Sequence, residues 1–207
     1  MNIPVISYIF LKGKCGFCNK TISIRYPAIE IIVGTASFML FPSHQLSLDL
    51  IVHYLFYFSI FCVFLAHFII DLEFQILPDE LNVYLLLIML VYSFLNFSFS
   101  HWIIGGLIGF LVPYGITWAF YKFRGQIGMG GGDIKLFGVL GIYLGPQGII
   151  YNIFFSCFLG SLVGGAYILI ARKEKNHAFA FGPYILIVAF IQIFLPYFFD
   201  QVLRLIF

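Results

Sequence analysis

The chain has 207 residues, of which 62% are hydrophobic, 20% aromatic and only 10% charged, with a net charge of +2 and a mean hydropathy of +1.03. A soluble domain of this length cannot bury so much apolar surface, whereas a bilayer solvates it. The small net charge excludes a nucleic-acid-binding class, and four cysteines, two of them (Cys62 and Cys157) isolated in apolar runs, exclude a disulfide framework.

Reading from the amino terminus, Ile3 to Leu11 is a short apolar stretch followed by Lys12 and Lys14. It lacks the basic start and small-residue cleavage site of a secretory signal. Cys15 and Cys18 follow as a C-x-x-C pair, half the donor set of a tetrahedral thiolate zinc site. Apolar runs between polar breaks then predict spanning helices near 28–42, 48–70, 81–97, 102–121, 134–145, 148–170 and 182–199. The expected fold is an all-α polytopic bundle of about seven helices. A short cytoplasmic segment over 1–27 precedes a membrane domain over 28–207.

With seven spans, ten of the eleven basic residues fall on one side, from Lys12, Lys14, Lys20 and Arg25 to Lys122, Arg124, Lys135 and the Arg172, Lys173, Lys175 run; only Arg204 falls opposite. The positive-inside rule makes that side cytoplasmic. Five of the nine acids gather there at two points: Asp71, Glu73, Asp79 and Glu80 after the second span, and Asp133 before the fifth. Acids near lipid are costly and mark function.

Asp133 ends the glycine-rich run Gly128-Met129-Gly130-Gly131-Gly132-Asp133, followed by Ile134 and Lys135. Glycines leave the carboxylate uncovered and let a peptide backbone approach, although an Asp in this place also suits a helix cap. Asp71 ends a long apolar run, and Leu77-Pro78-Asp79 reads as a turn into the next helix, with Asp79 as its cap. Two carboxylates on one face can serve as acid and base for amide hydrolysis. Asp71, near a helix carboxyl end, is expected to start as the acid, and Asp133, near an amino end, as the base. Lys135 would steady a carboxylate or orient substrate. His67, within a span, is expected to be satisfied by neighbouring backbone.

These segments resemble the motifs of the prepilin peptidases, the GxGD-type membrane aspartyl proteases. Gly128 to Lys135 is similar to the family's G-M-G-x-G-D-x-K motif, Asp71 to the Asp of its I-D-x-x-x-x-x-L-P-D stretch, and Phe181-Gly182-Pro183-Tyr184 to its F-G-P-[YF] motif. Ile3-Pro4 through Cys15-Gly16-Phe17-Cys18 to Arg25-Tyr26-Pro27-Ala28-Ile29-Glu30 resembles its cytoplasmic insertion.

The resemblance implies Asp71 and Asp133 as catalytic carboxylates, with Gly130, Gly132 and Lys135 at the substrate. It further implies prepilins or pseudopilins of type IV pilus or type II secretion systems as substrates, processed in the bacterial inner membrane at its cytoplasmic face. Peptide cleavage would need no cofactor. Zinc would be held in part by Cys15 and Cys18. The family commonly has a second, upstream C-x-x-C and a preceding helix; their absence here leaves three readings open: a truncated start, a naturally short form, or zinc shared between subunits. It also weakens a second implied activity, N-methylation of the new amino terminus from S-adenosylmethionine, to which Arg25 and Glu30 would contribute. Two other readings stay open: a small cation- or proton-coupled transporter in which Asp71 and Asp133 bind the ion, and an inactive pilus-assembly scaffold.

Overall fold

The computed structural model describes residues 3, 5–43, 47–126, 128–171 and 180–206, with the side chains of 167–171 and 206 outside the description. Eight helices run through the described residues: α1 (Ile6–Phe10), α2 (Arg25–Leu40), α3 (Leu48–Phe74), α4 (Asp79–Asn96), α5 (Phe99–Arg124), α6 (Gly131–Ala171), α7 (Gly182–Phe194) and α8 (Pro196–Ile206). Four of them, α3 to α6, are long and apolar enough to cross a membrane, and a bent α7–α8 pair could make a fifth. No more than a third of each helix's most apolar stretch is buried by protein. Side chains such as Leu87, Val91, Phe94, Leu111 and Ile116 point outward, and lipid is the only solvent that suits them. The chain is thus a polytopic helical membrane protein. The basic run Arg172 to Lys175 and the residues His44 and Gln45 lie outside the described residues.

The fold divides into two compact units, 1–62 and 63–207. In the first, α1 leads into a tight turn closed by Cys15 N–H on Lys20 O (2.9 Å) and Ile22 N–H on Gly13 O (2.8 Å). Helix α2 tolerates Pro27 because a proline in the first turn lacks only an N–H that would be unpaired there. Tyr54 of α3 meets Ser37 of α2 through a 2.8 Å hydrogen bond.

In the second unit, local chemistry sets the helix ends. Pro78 caps α4, whose first turn carries Asp79 and Glu80 against the positive end of its dipole. Gly125 takes the left-handed conformation (φ 68°) that ends α5, and Lys122 and Arg124 occupy that last turn.

Helices α5 and α6 touch backbone to backbone. A methyl group on Gly105 would run into Gly141 O, and one on Gly109 would run into Phe137 O. Small residues permit this approach, and dispersion across the contact replaces the hydrophobic drive that lipid does not supply.

Helix α6 folds back at Gly145, whose φ of 70° and ψ of −178° are not helical. The ring of Phe181 meets Phe137 at 6.3 Å between centroids and also lies against Gly160. In one straight helix Phe137 and Gly160 would be roughly 35 Å apart. The arms 131–144 and 146–171 therefore correspond to the spans expected at 134–145 and 148–170. His101 of α5 plugs the turn, its Nε2 3.2 Å from Tyr143 O and its ring filling the space any side chain at position 145 would need. The span expected at 182–199 is broken: Leu195 and Pro196 interrupt it, and α8 leaves α7 at 107°.

Buried polar groups tie the second arm of α6 to α7. Asn152 donates to Gln192 Oε1 (2.8 Å), Gln192 donates to Gly148 O (2.8 Å), and Ser156 donates to Tyr184 O (3.4 Å). Overpacking of a tight contact costs about 1–3 kcal/mol or more. Gly105→Leu is therefore expected to lower the thermal midpoint in detergent sharply or prevent folding, whereas Gly115→Ala, which faces open space, leaves it unchanged or slightly raised. A melting series on both variants checks this.

Candidate functional site

Asp71 lies in the last turn of α3, and Asp133 lies in the first turn of α6. Both are buried among the helices of the second unit, Asp71 at 4% and Asp133 at 9% exposure. They line one cavity of about 500 Å³ together with Gln75, Leu77, Asp79, Glu80, Gly130, Gly131, Gly132 and Lys135. Asp71 is near enough to act on the charge of Asp133. The structure thus brings together the two acids singled out in sequence.

Each carboxyl group lies against the backbone of a glycine. The backbone of Gly130 lies against Asp133, and a methyl on Gly130 would come within 3.0 Å of Asp133 Oδ2. The backbone of Gly182 lies against Asp71, and a methyl there would lie 2.6 Å from Asp71 Oδ2 and 3.2 Å from Leu77 Cδ2. Asp71 Oδ2 has no hydrogen-bond partner among the described residues. A buried carboxyl oxygen left unpaired is costly, so this atom is held available at the expense of stability.

Leu77, on the α3–α4 connection, is the wedge between these parts. Its Cβ would sit 3.0 Å from a methyl on Gly132, while its Cδ2 abuts Gly182. The helix start at Asp133, the end of α3 and the start of α7 therefore converge on one leucine. Sequence reasoning assigned Leu77 only to a turn and gave Gly182 no role of its own. The glycine in Phe181-Gly182-Pro183-Tyr184 was the available signal, since a glycine opening a buried helix marks close approach by another group.

Other expected residues divide clearly. Lys135 does not meet either buried carboxyl; it pairs with Asp79 at 2.7 Å, half-exposed at the rim. Such a pair contributes at most about 1 kcal/mol. His67 is fully buried, with Nδ1 3.2 Å from Val63 O as expected, but among the described residues its Nε2 has no hydrogen-bond partner, nor has either side-chain amide atom of buried Asn82.

In the first unit, Glu30 accepts the Val5 N–H at 2.7 Å. Cys15 and Cys18 occupy the tight turn, where the N–H groups of Cys18 and Phe17 point at the Cys15 sulfur. This turn would suit two ligands of a thiolate-held metal. No group of three or more His, Cys, Asp or Glu that could hold an ion occurs among the described residues. Two sulfurs do not close a tetrahedral zinc site, so no chemistry is routed through a metal.

Comparison with known proteins places the site in context. The type IV leader peptidase family matches residues 56–165, and the bacterial peptidase A24 N-terminal domain matches residues 1–44. The chain is 32% identical over 198 residues to a prepilin leader peptidase/N-methyltransferase of Aeromonas hydrophila, covering 93% of this chain and 66% of that protein. Proteins of the same description from Neisseria gonorrhoeae (34% over 191 residues, 88% of this chain and 62% of that one) and Dichelobacter nodosus (33% over 194 residues, 92% and 64%) are similar as well. The chain thus spans just under two thirds of the length of such relatives. No solved structure matches it.

The backbone N–H groups aimed at Cys15 favour its thiolate and hold its pKa below the ordinary thiol value. The thiolate is the reactive form, so alkylation of Cys15 by iodoacetamide should reach half-maximal rate at a lower pH than for an unstructured cysteine peptide. Peptide mapping after labelling across a pH series reads this out; a midpoint at or above the peptide's contradicts it.

Proposed function

The chain belongs to the type IV leader peptidase family, and from that premise we propose that it is a membrane aspartyl endopeptidase that removes the leader of type IV prepilins or pseudopilins. The observation that carries this reading is the convergence of Asp71 and Asp133 on one cavity, each carboxyl bordered by a bare glycine backbone. A cavity edged by glycine admits an extended peptide main chain, which a side chain at Gly130, Gly132 or Gly182 would obstruct.

In the proposed reaction Asp133 takes a proton from water as the water oxygen bonds to the scissile carbonyl carbon. Asp71, carrying the shared proton, gives it to the leaving nitrogen as the carbon–nitrogen bond breaks. The pair then exchanges its proton through solvent and is reset. The position of Asp133 at a helix amino end and of Asp71 at a carboxyl end supports that division, because the helix dipoles favour charge at the first and a proton at the second. Lys135 and Asp79 form a charged rim that the substrate passes, and Gly130 and Gly132 line its path.

The reading places the chain in the bacterial inner membrane with this cavity toward the cytoplasm, because the basic residues gather in the loops at that end. Residues 1–27 would form a short cytoplasmic segment and 28–207 the membrane peptidase domain. Zinc is assigned to no step; Cys15 and Cys18 would supply two of its four ligands.

N-methylation from S-adenosylmethionine would fall to the first unit, where a cavity of about 830 Å³ is lined by Tyr8, Phe17, Tyr26 and Glu30. Glu30, the acid there, already accepts the Val5 N–H. The proposal is therefore confined to cleavage, and the mass of the processed amino-terminal peptide decides whether a methyl group is added.

Co-expression with a prepilin tests the pair. Asp71→Asn and Asp133→Asn are each expected to leave the precursor intact, and full processing by either variant would remove the basis of the proposal. Gly182→Ala, which forces Asp71 aside, should lower kcat about 10²-fold while folding is retained. Cleavage should also survive treatment with a chelator, since both proton transfers are given to carboxylates.

A further inference from the structure

Helix α8 enters the sequence reading only as the tail of the span expected at 182–199, and the proposed chemistry does not use it. Its residues sort cleanly around the axis at 3.6 residues per turn. Phe199 and Leu203 form one apolar face, and Phe199 packs on Tyr151 and Phe155 of α6 with ring centroids 6.2 and 5.7 Å apart. Phe198, Val202 and Leu205 form an adjoining apolar face, on which Val202 is half-buried while Phe198 and Leu205 are 53% and 87% exposed. Tyr197, Asp200, Gln201 and Arg204 complete the circle on the opposite side. Half of the apolar arc is thus used by the protein, and the other half is unclaimed.

The angle of 107° to α7 turns this helix nearly at right angles to an apolar, buried helix. Eleven residues span only about 17 Å, too short to cross a bilayer. Insertion as a re-entrant limb would carry Asp200 and Arg204 into hydrocarbon, at a cost of several kcal/mol.

Lengths along the unit give a separate argument. The register of Gly105 on Gly141 and Gly109 on Phe137 sets Pro113 at the level of Asp133. From the level of the two carboxylates α7 runs 13 residues from Gly182 to its turn into α8, about 20 Å and most of the ~30 Å of a hydrocarbon core. Gln192, near that turn, donates to Gly148 O beside the Gly145 fold-back, so α8 lies at the end of the unit away from the carboxylates. Trp102, beside the His101 that shares a cavity with Pro196 and Leu203, is an aromatic anchor suited to that level.

We propose that α8 is an in-plane membrane-surface helix. Phe198, Val202 and Leu205 enter between the headgroups to the first acyl carbons, and Asp200, Gln201 and Arg204 face headgroups and water. Its partner is the phospholipid interface at the end of the bundle remote from Asp71 and Asp133. By fixing the far end of α7, it sets the depth at which Gly182 meets Asp71.

The test places a single tryptophan in α8 of the intact chain, in a background with Trp102→Phe and Trp118→Phe, reconstituted in phosphatidylcholine vesicles. Phe198→Trp and Tyr197→Trp each exchange one exposed aromatic ring for another, so the fold is retained. Phospholipids brominated near the headgroup should quench Phe198→Trp at least about twofold more than those brominated near the chain ends, while iodide in water should quench only Tyr197→Trp. Stronger quenching of Phe198→Trp by the deep bromines would show a re-entrant limb and overturn the proposal. Shielding of Phe198→Trp from lipid and iodide together would show a second copy on that face and overturn it equally. Because fluorescence is the readout, the result stands apart from prepilin cleavage.

Discussion

The second unit depends on the direct contact of two helix backbones, α5 and α6, at Gly105 with Gly141 and Gly109 with Phe137. In a bilayer, apolar side chains gain nothing by leaving lipid for one another, so helices associate where their surfaces fit closely enough for dispersion to accumulate. Glycine removes the side chain that would hold the axes apart. Once that contact is made, the first arm of α6 has a fixed height along α5, and Asp133 at its amino end is fixed with it. His101 closing the Gly145 turn then determines where the second arm begins.

A different interaction positions the other half of the site. Asn152, Gln192 and Ser156 are polar groups in apolar helices, and each satisfies its hydrogen bonds on α6 or α7. Such bonds average about 0.6 kcal/mol in membrane proteins, so their weight lies more in register than in stability. A slip of α7 would leave several buried polar atoms unpaired. The register so set brings Gly182 against Asp71, and Leu77 fills the remaining space.

Much of this was legible in the sequence. Hydropathy located the apolar helices, and Asp71 and Asp133 stood out because charged residues are rare in such a chain. What escaped was long-range pairing. The lone Asn152 and Gln192 were visible, but nothing local shows that a residue on one helix answers a residue forty positions later. The break at Gly145 was expected between the spans 134–145 and 148–170, whereas the bend at Pro196 was not, because the apolar run continues through it. Lys135 sits two residues from Asp133, and that spacing on a helix directs the two side chains apart, which leaves Lys135 free to pair with Asp79. For the Cys15 and Cys18 turn, two donors were apparent in the sequence and two are what the described residues hold.

The bare glycine rail also divides the two carboxylates into a stationary and an adjustable member. Asp133 rides on a helix whose backbone is in hard contact with its neighbour and has no side-chain cushion to compress. Asp71 precedes a loop entered through Gln75 at a φ of 56°, and its Oδ2 has no hydrogen-bond partner among the described residues. In the proposed reaction, tightening of the pair around a peptide falls to the α3 end, with Leu77 travelling alongside. A compound that wedges behind Leu77 would stop that stroke without touching either acid.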